Sequence, residues 1–340
     1  MAFATIDKGS KYFNTITYTG TGASLANTGV GFQPDWVWIK GRSGATDHGL
    51  YDAVRGVQKD LGSNLSTAET TQTTGLTAFG SDGFTVGALA KLNTSAATYC
   101  SWNWLGANTT VSNTSGSITS TVSANTTSGF SVCTYTGDGG TTTSSTIGHG
   151  LGVAPKIYFL KGRSEVGDWI VASSMFTSLQ FLKLNLSNAV ASGGTAQYGM
   201  TSSTICVPAR NTSGQTYVAY CFAEVKGYSK FSSYTGNGST DGTFIYTGFK
   251  PSWIMFKRTD AAQDWYIYDN KRNTFNPENL QLDAMDAGAE STLLSGDFVS
   301  NGFKFRSLSS AFNTSGGTYI YMAFAENPFT SSKGLPCTAR

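Results

Sequence analysis

Three stretches of this chain begin alike and end alike, in the same order, and no other feature restricts its fold as strongly. The openings read YTGTG from Tyr18, YTGDG from Tyr135 and YTGNG from Tyr234. Each leads to a Gly, an x-Pro step and an apolar run: GFQPDWVWIKGR from Gly31, GVAPKIYFLKGR from Gly152 and GFKPSWIMFKRT from Gly248. The closings are NTSAATYCSWNW from Asn93, NTSGQTYVAYCFAE from Asn211 and NTSGGTYIYMAFAE from Asn313. Self-similarity of this kind, repeated in one order, means a single structural unit written three times.

The middle of the unit recurs less evenly. Copies one and three share DHGLYDAVR and DWYIYDNKR, so Asp52 and Arg55 match Asp269 and Arg272. Copy two keeps Asp168 and Trp169 and then departs. An SDGF-type strand at 81–86 and 300–305 has no evident counterpart in copy two, where TICVPAR stands instead.

Each unit reads as strands. Along the closing element, Cys100, Trp102 and Trp104 match Val218, Tyr220 and Phe222, then Ile320, Met322 and Phe324, with smaller residues between them. That is one large-residue face aimed at a core. The run after each proline is apolar at nearly every position, as in a strand covered on both sides. Pro34, Pro155 and Pro251 mark its entrance, where a missing donor costs little. Helical turns are expected only near 51–61 and 282–294. Short strands and Gly-rich turns, at roughly 100 residues per copy, predict an all-β chain of three tandem related β-sandwiches. A jelly-roll or concanavalin-like type fits better than an immunoglobulin type, since no Cys…Trp…Cys pattern occurs. The expected domains are 1–106, 129–226 and 227–340, the last with a C-terminal tail. Residues 107–128, rich in Ser, Thr and Asn, read as a linker with one added strand, GSITSTV. The short junction VKGYSKFSSYTG predicts that copies two and three pack together.

Composition excludes several functions. Charged residues are 13%, about half the usual share, and 23 basic against 21 acidic residues form no basic block. A nucleic-acid partner needs such a block. No run of about 18 apolar residues predicts a membrane span. The start, MAFATIDKGSKYF, lacks the pattern of a signal peptide, so synthesis in a cytoplasm is expected. Cys100, Cys133, Cys206, Cys221 and Cys337 are odd in number and fit no zinc spacing; they are expected reduced.

The candidates for chemistry each have a plainer reading. His48 aligns with Trp169 and Trp265, and neither it nor His149 has a partner at metal spacing. Glu224 and Glu326 recur in FAE, where copy one has Gly106. Asp52–Arg55 and Asp269–Arg272 suit ion pairs. A glycan depolymerase needs two facing carboxyls, which different copies or subunits would have to supply. TGDGG from Thr136 has no following GK[ST], so it is not a phosphate loop. No Gly-x-Ser-x-Gly elbow occurs. The expectation is therefore no catalytic residue, no metal and no cofactor. Trp36, Trp253, Trp102 and Trp104 exchange with other apolar residues between copies, as core residues do. Ligand contacts are expected in the loops 41–47, 139–145, 191–199 and 261–264.

YTGTG, VGFQPDWVWIKGRSGATDHGLYDAVRG, GLTAFGSDGF and the closing IYMAFAENPF resemble an uncharacterised repeat of tailed phages, marine and cyanobacterial ones especially. The resemblance covers nearly the whole chain and describes scaffold. It implies a virion surface structural protein of tail-fibre type, an adhesin binding a host glycan or protein, beside other virion proteins and by default a homotrimer. The alternative it implies is a capsid decoration, cement or head-fibre protein.

Overall fold

Each repeat builds the same set of four antiparallel strands, a sheet of its own in copy one and the centre or end of an eight-stranded sheet in copies two and three. The computed structural model describes residues 6–193 and 198–326. Within them the strands lie in the order opening, closing, post-proline, middle. In copy one these are Phe13–Thr19, Thr98–Trp104, Trp36–Gly41 and Gly49–Asp52. In copy two they are Phe130–Thr136, Thr216–Phe222, Ile157–Gly162 and Ile170–Ser173. In copy three they are Ser229–Thr235, Thr318–Ala325, Pro251–Arg258 and Trp265–Asp269. Register agrees too. Trp36, Ile157 and Trp253 pair with Trp104, Phe222 and Phe324 on one side and with Asp52, Ser173 and Asp269 on the other. Pro34 and Pro155 stand just ahead of their strands, and Pro251 begins its strand before a bulge.

The matched ends of each repeat are stapled together. Tyr18, Tyr135 and Tyr234 stack on Tyr99, Tyr217 and Tyr319, with ring centroids 5.1, 5.0 and 4.7 Å apart. The hydroxyls of Tyr99, Tyr217 and Tyr319 accept from the N–H groups of Thr94, Thr212 and Thr314. The side-chain oxygens of Asn93, Asn211 and Asn313, all buried, accept from the backbone N–H of Thr21, Asp138 and Asn237. A Cβ on Gly20, Gly137 or Gly236 would run into the carbonyl of Thr94, Thr212 or Thr314. The Tyr-Thr-Gly and Asn-Thr-Ser signatures thus recur because they are two halves of one staple.

Alternation gives every four-stranded sheet two faces. One faces a smaller outer layer of its own copy. That layer is Leu25–Thr28, Leu76–Gly80 and Gly83–Val86 in copy one, Thr146–Gly148 with Thr204–Cys206 in copy two, and Phe244–Tyr246, Ser291–Val299 and Gly302–Phe305 in copy three. Between the layers lie separate cores, for example Val37, Ile39 and Phe84; Tyr158, Leu160 and Ile205; Ile254, Phe256 and Phe303.

The other faces of the three sheets meet each other. Trp36, Trp102, Trp104, Phe159, Tyr220, Phe222, Trp253, Met322 and Phe324 belong to one buried cluster. Its centre is a triangle of matched residues: Trp104, Phe222 and Phe324, each 1% exposed, with centroids 6.2, 5.9 and 6.2 Å apart. Matched opening-strand rings follow in cyclic order: Phe130 lies 6.3 Å from Trp104, Phe231 lies 6.1 Å from Phe222, and Phe13 lies 4.9 Å from Phe324. The copies therefore close a ring around a common aromatic core, which includes the contact between copies two and three that the short junction suggested. The indole N–H groups of Trp36, Trp104 and Trp253 find no acceptor there. Each such loss costs about 1–3 kcal/mol, offset by aromatic packing.

Three expectations need correction. Residues 107–128 hold the expected added strand, as Ser120–Asn125, and a second one, Val111–Asn113, and both extend the sheet of copy two. They are also tied to copy one, where Asp35 accepts from the Ser123 hydroxyl and the Gly106 N–H. The region 51–61 is strand and turn, and 282–294 ends one strand and starts another; the α-helical segment described is Ala90–Asn93. Copy two does have the outer strand it seemed to lack, as Thr204–Cys206, with Ile205 opposite Ile147 just as Phe303 faces Ile245. Cys100, Cys133, Cys206 and Cys221 are free thiols; Cys337 and the C-terminal tail from 327 lie outside the described residues. No helix among the described residues is long and apolar enough to cross a membrane.

Candidate functional site

The residues with chemical potential gather at the seams between copies. A segment of each copy lies on the next. Glu69 donates its N–H to the Arg163 carbonyl at 2.7 Å, Val190 to that of Thr259 at 2.8 Å, and Glu290 to that of Arg42 at 2.9 Å. These bonds run from copy one to two, two to three and three to one. A second set follows the same seams: Gly167 to Ser66, Gln263 to Ser187 and Thr46 to Ala287. Two of the loops proposed for ligands, 41–47 and 261–264, are thus taken up in holding the ring.

Matched lysines reinforce each seam. Lys40, Lys161 and Lys257 interrupt the apolar strands and are fully buried. Their Nζ atoms donate to carbonyls of the neighbouring copy: Gly288 at 2.6 Å, Ser66 at 3.0 Å and Ser187 at 3.1 Å. Burial pushes Lys161 and Lys257 down to about 8 and also lowers Lys40. A lysine recurring inside an apolar run was the one legible sign of these seams.

His48 does the work of the tryptophans it aligns with. Trp169 donates Nε1–H to the Gly62 carbonyl at 2.8 Å, and Trp265 to that of Lys183 at 2.9 Å. His48 Nδ1 accepts from Trp38 at 2.7 Å, so Nε2 carries the proton and donates to the Asp283 carbonyl at 3.0 Å. Burial, then the charge of Lys40, holds its pKa well below the ordinary 6.5. A depressed histidine adds stability that is complete above pH 6.5 and lost as pH falls toward the folded-state pKa. The stability gap between the wild type and His48→Gln should therefore narrow by about 1–2 kcal/mol from pH 7 to pH 5. Urea unfolding at both pH values measures it; a constant gap would mean that His48 is not a buried neutral donor. His149 is also buried and depressed. It bonds locally, to the Leu151 N–H and the Thr201 carbonyl.

Asp52 and Asp269 form buried ion pairs with Arg55 and Arg272. Each pair reaches into the next copy. Asp52 accepts from the Tyr220 hydroxyl at 2.7 Å, and Asp269 from Trp102 Nε1 at 3.0 Å. Glu69 bridges Arg55 and Arg163, and Glu290 bridges Arg272 and Arg42. The seam from copy two to three has none of this. There Ser173 replaces the Asp, Phe176 the Arg, Val190 the Glu and Thr259 the outer Arg, and the position of Tyr220 and Trp102 is Met322. Met322 has no proton to donate and Phe176 no charge, so an Asp at 173 would be buried without the cross-copy donor and the cation that Asp52 and Asp269 have. Copy two departs from the repeat because its neighbour does.

The remaining candidates are engaged locally. Glu224 pairs with Lys230 and Glu326 with Lys250, both part-exposed. In the loop 139–145, Gly140 donates to Asp138 and Ser145 to Thr142. Residues 194–197 of the loop 191–199 lie outside the described residues. No group of three His, Cys, Asp or Glu among the described residues is placed to hold a metal.

One carboxyl stands apart. Glu278, 4% exposed, lines a narrow apolar crevice with Ile254, Tyr268, Phe298, Phe303, Phe305 and Phe312. Burial, then the nearby charge of Asp269, raises its pKa from 4.5 to about 8. A raised carboxyl adds stability complete below pH 4.5 and lost as pH climbs through 8. Glu278→Gln should match the wild type at pH 4 and exceed it by about 2 kcal/mol at pH 9, read from denaturant midpoints. Equal stability at both pH values would show that the carboxyl is not held neutral.

No curated protein and no solved structure matches the chain. A family described as a domain of unknown function, DUF7483, matches residues 8–328, and the chain belongs to that family.

Proposed function

We propose that the protein is a non-enzymatic structural component of a phage virion surface, an adhesin of tail-fibre type that binds a host glycan or protein. In this reading it is three related sandwich modules closed into one body, made in the host cytoplasm and carried on the particle. One observation carries most weight: the recurring Lys, Asp and Arg side chains, and His48 with them, are spent on seams between copies. What remains outside is a charge-poor surface of Ser, Thr, Asn and Gly, with recognition left to features the copies do not share. The phage setting is supported by the resemblance of the repeat motifs.

Capsid decoration is the second reading, favoured by the ring itself, since a three-part body suits a threefold position on a lattice. The ring also bears on assembly. Three copies in one chain enclose the axis that three chains enclose in a fibre, so light scattering should give the mass of one chain; three times that mass would restore the homotrimer.

Antibody labelling of virions under the electron microscope tests the location. Label at tail tips, with purified protein binding host polysaccharide without shortening it, supports the adhesin. Label over capsid faces, with binding to capsids lacking the protein, supports decoration. Shortened polysaccharide, lost on changing one Asp or Glu to its amide, would overturn the non-enzymatic reading.

A further inference from the structure

The outer strand Phe244–Tyr246 of copy three departs from its counterparts on the face that points away from the core. Ile245 points inward and pairs with Phe303, as Asn27 pairs with Phe84 and Ile147 with Ile205. The inward position is thus kept across the copies. Phe244 and Tyr246 point outward, 46% and 64% exposed. The same positions are Ala26 and Thr28 in copy one and Thr146 and Gly148 in copy two. Holding two aromatic rings in water is unfavourable, and no core packing among the described residues accounts for them.

The rings are arranged as a platform. Residues two apart on a strand share a face and stand roughly 7 Å apart. Phe244 lies against Gly302, where a Cβ would come within 3.0 Å of its ring, so the ring is seated on bare backbone. Lys304 sits opposite Phe244 in register and pairs with the exposed Asp241, placing a donor and an acceptor beside it.

We propose that Phe244 and Tyr246 form a carbohydrate-binding platform, stacking the C–H faces of pyranose units while Asp241 and Lys304 bond their hydroxyls. The proposal rests on the adhesin reading and names its site. Size argues for a sugar over a protein. Two part-exposed rings offer roughly 200 Å², whereas a stable protein partner covers about 800 Å² on each side. Strand addition is disfavoured as well, because this edge strand has three residues and very short edges template poorly. The neutral balance of the flanking ion pair suits an uncharged, hydroxyl-rich ligand.

Affinity electrophoresis through gels containing protein-free host surface polysaccharide tests it, using the full chain. The wild type should be retarded. Phe244→Ala with Tyr246→Ala should weaken binding about tenfold or more, since both stacking faces are lost. Tyr246→Phe keeps the ring and should stay within about twofold, as should Val166→Ala, an exposed apolar change in copy two. These side chains are on the surface, so unchanged circular dichroism is expected for all variants. Equal retardation of the double variant would overturn this site and leave the adhesin reading standing. No retardation, with protease-sensitive binding to host cells, would overturn the glycan and point to a protein receptor. Binding to neither polysaccharide nor cells would sink both.

Discussion

Arg55→Ala is expected to destabilise the chain by about 3–5 kcal/mol, far more than a lost surface contact. The guanidinium is buried and donates to Asp52, Glu69 and the Leu50 carbonyl, and its Nη2 lies 3.2 Å from the Tyr220 hydroxyl. Removing it strands the Asp52 charge away from water with no cation beside it, held only by the Tyr220 hydroxyl and the backbone N–H of residue 55. The seam between copies two and three indicates how to repair the loss. Asp52→Ser, Arg55→Phe, Glu69→Val, Arg163→Thr and Tyr220→Met together would write that apolar seam between copies one and two. Replacing a whole buried ionic network by apolar groups is often near neutral, whereas deleting one partner is not. The composite should recover more than half of the loss. It should not recover all, since Tyr220 stacks on Trp36 at 4.3 Å and methionine forfeits that contact. Urea unfolding of the wild type, single variant and composite measures both steps. A composite as unstable as Arg55→Ala would mean that the seams are not interchangeable.

Trp104→Ala should cost about 3–5 kcal/mol as well, and the loss should be felt in all three copies. The indole lies 4.4 Å from Trp36 and 4.9 Å from Phe13 in its own copy. It also lies 6.2 Å from Phe222, 5.8 Å from Trp253 and 5.9 Å from Phe324 in the others. A cavity there opens at the meeting point of three sheets. Unfolding should remain one transition, and amide exchange should quicken in the strands Thr98–Trp104, Thr216–Phe222 and Thr318–Ala325 together. Phe84→Ala, in the outer core of copy one, should quicken exchange mainly there. Loss of protection confined to residues 13–104 after Trp104→Ala would show that each copy folds on its own.

Strand period and repeat were legible in the sequence because both are local. Alternation of Cys100, Trp102 and Trp104 states which side is buried, and three matched prolines and Asn-Thr-Ser turns state where strands start and end. Even the structural reading of His48 was available, through its alignment with Trp169 and Trp265. The exposed pair at Phe244 and Tyr246 was missed, since YTG from Tyr246 looks like another strand ending until its register with Gly302 and Lys304 is known.

What the chain determined by itself is therefore the unit: its strands, its two-faced alternation, its matched openings and closings and its three copies. What only the tertiary structure decided is how the copies meet. A large residue on a strand announces burial but not against which surface, because dispersion and the hydrophobic effect carry no direction along the chain. Whether Trp104 faces a sheet of its own copy or two others depends on contacts more than a hundred residues apart, such as that with Phe222. The same holds for charge. Asp52 and Arg55 are three residues apart and could be read as a pair, but Tyr220 and Arg163 come from the next copy. That distant donor is why copy one keeps its aspartate, and the absence of a donor on Met322 is why copy two can have Ser173.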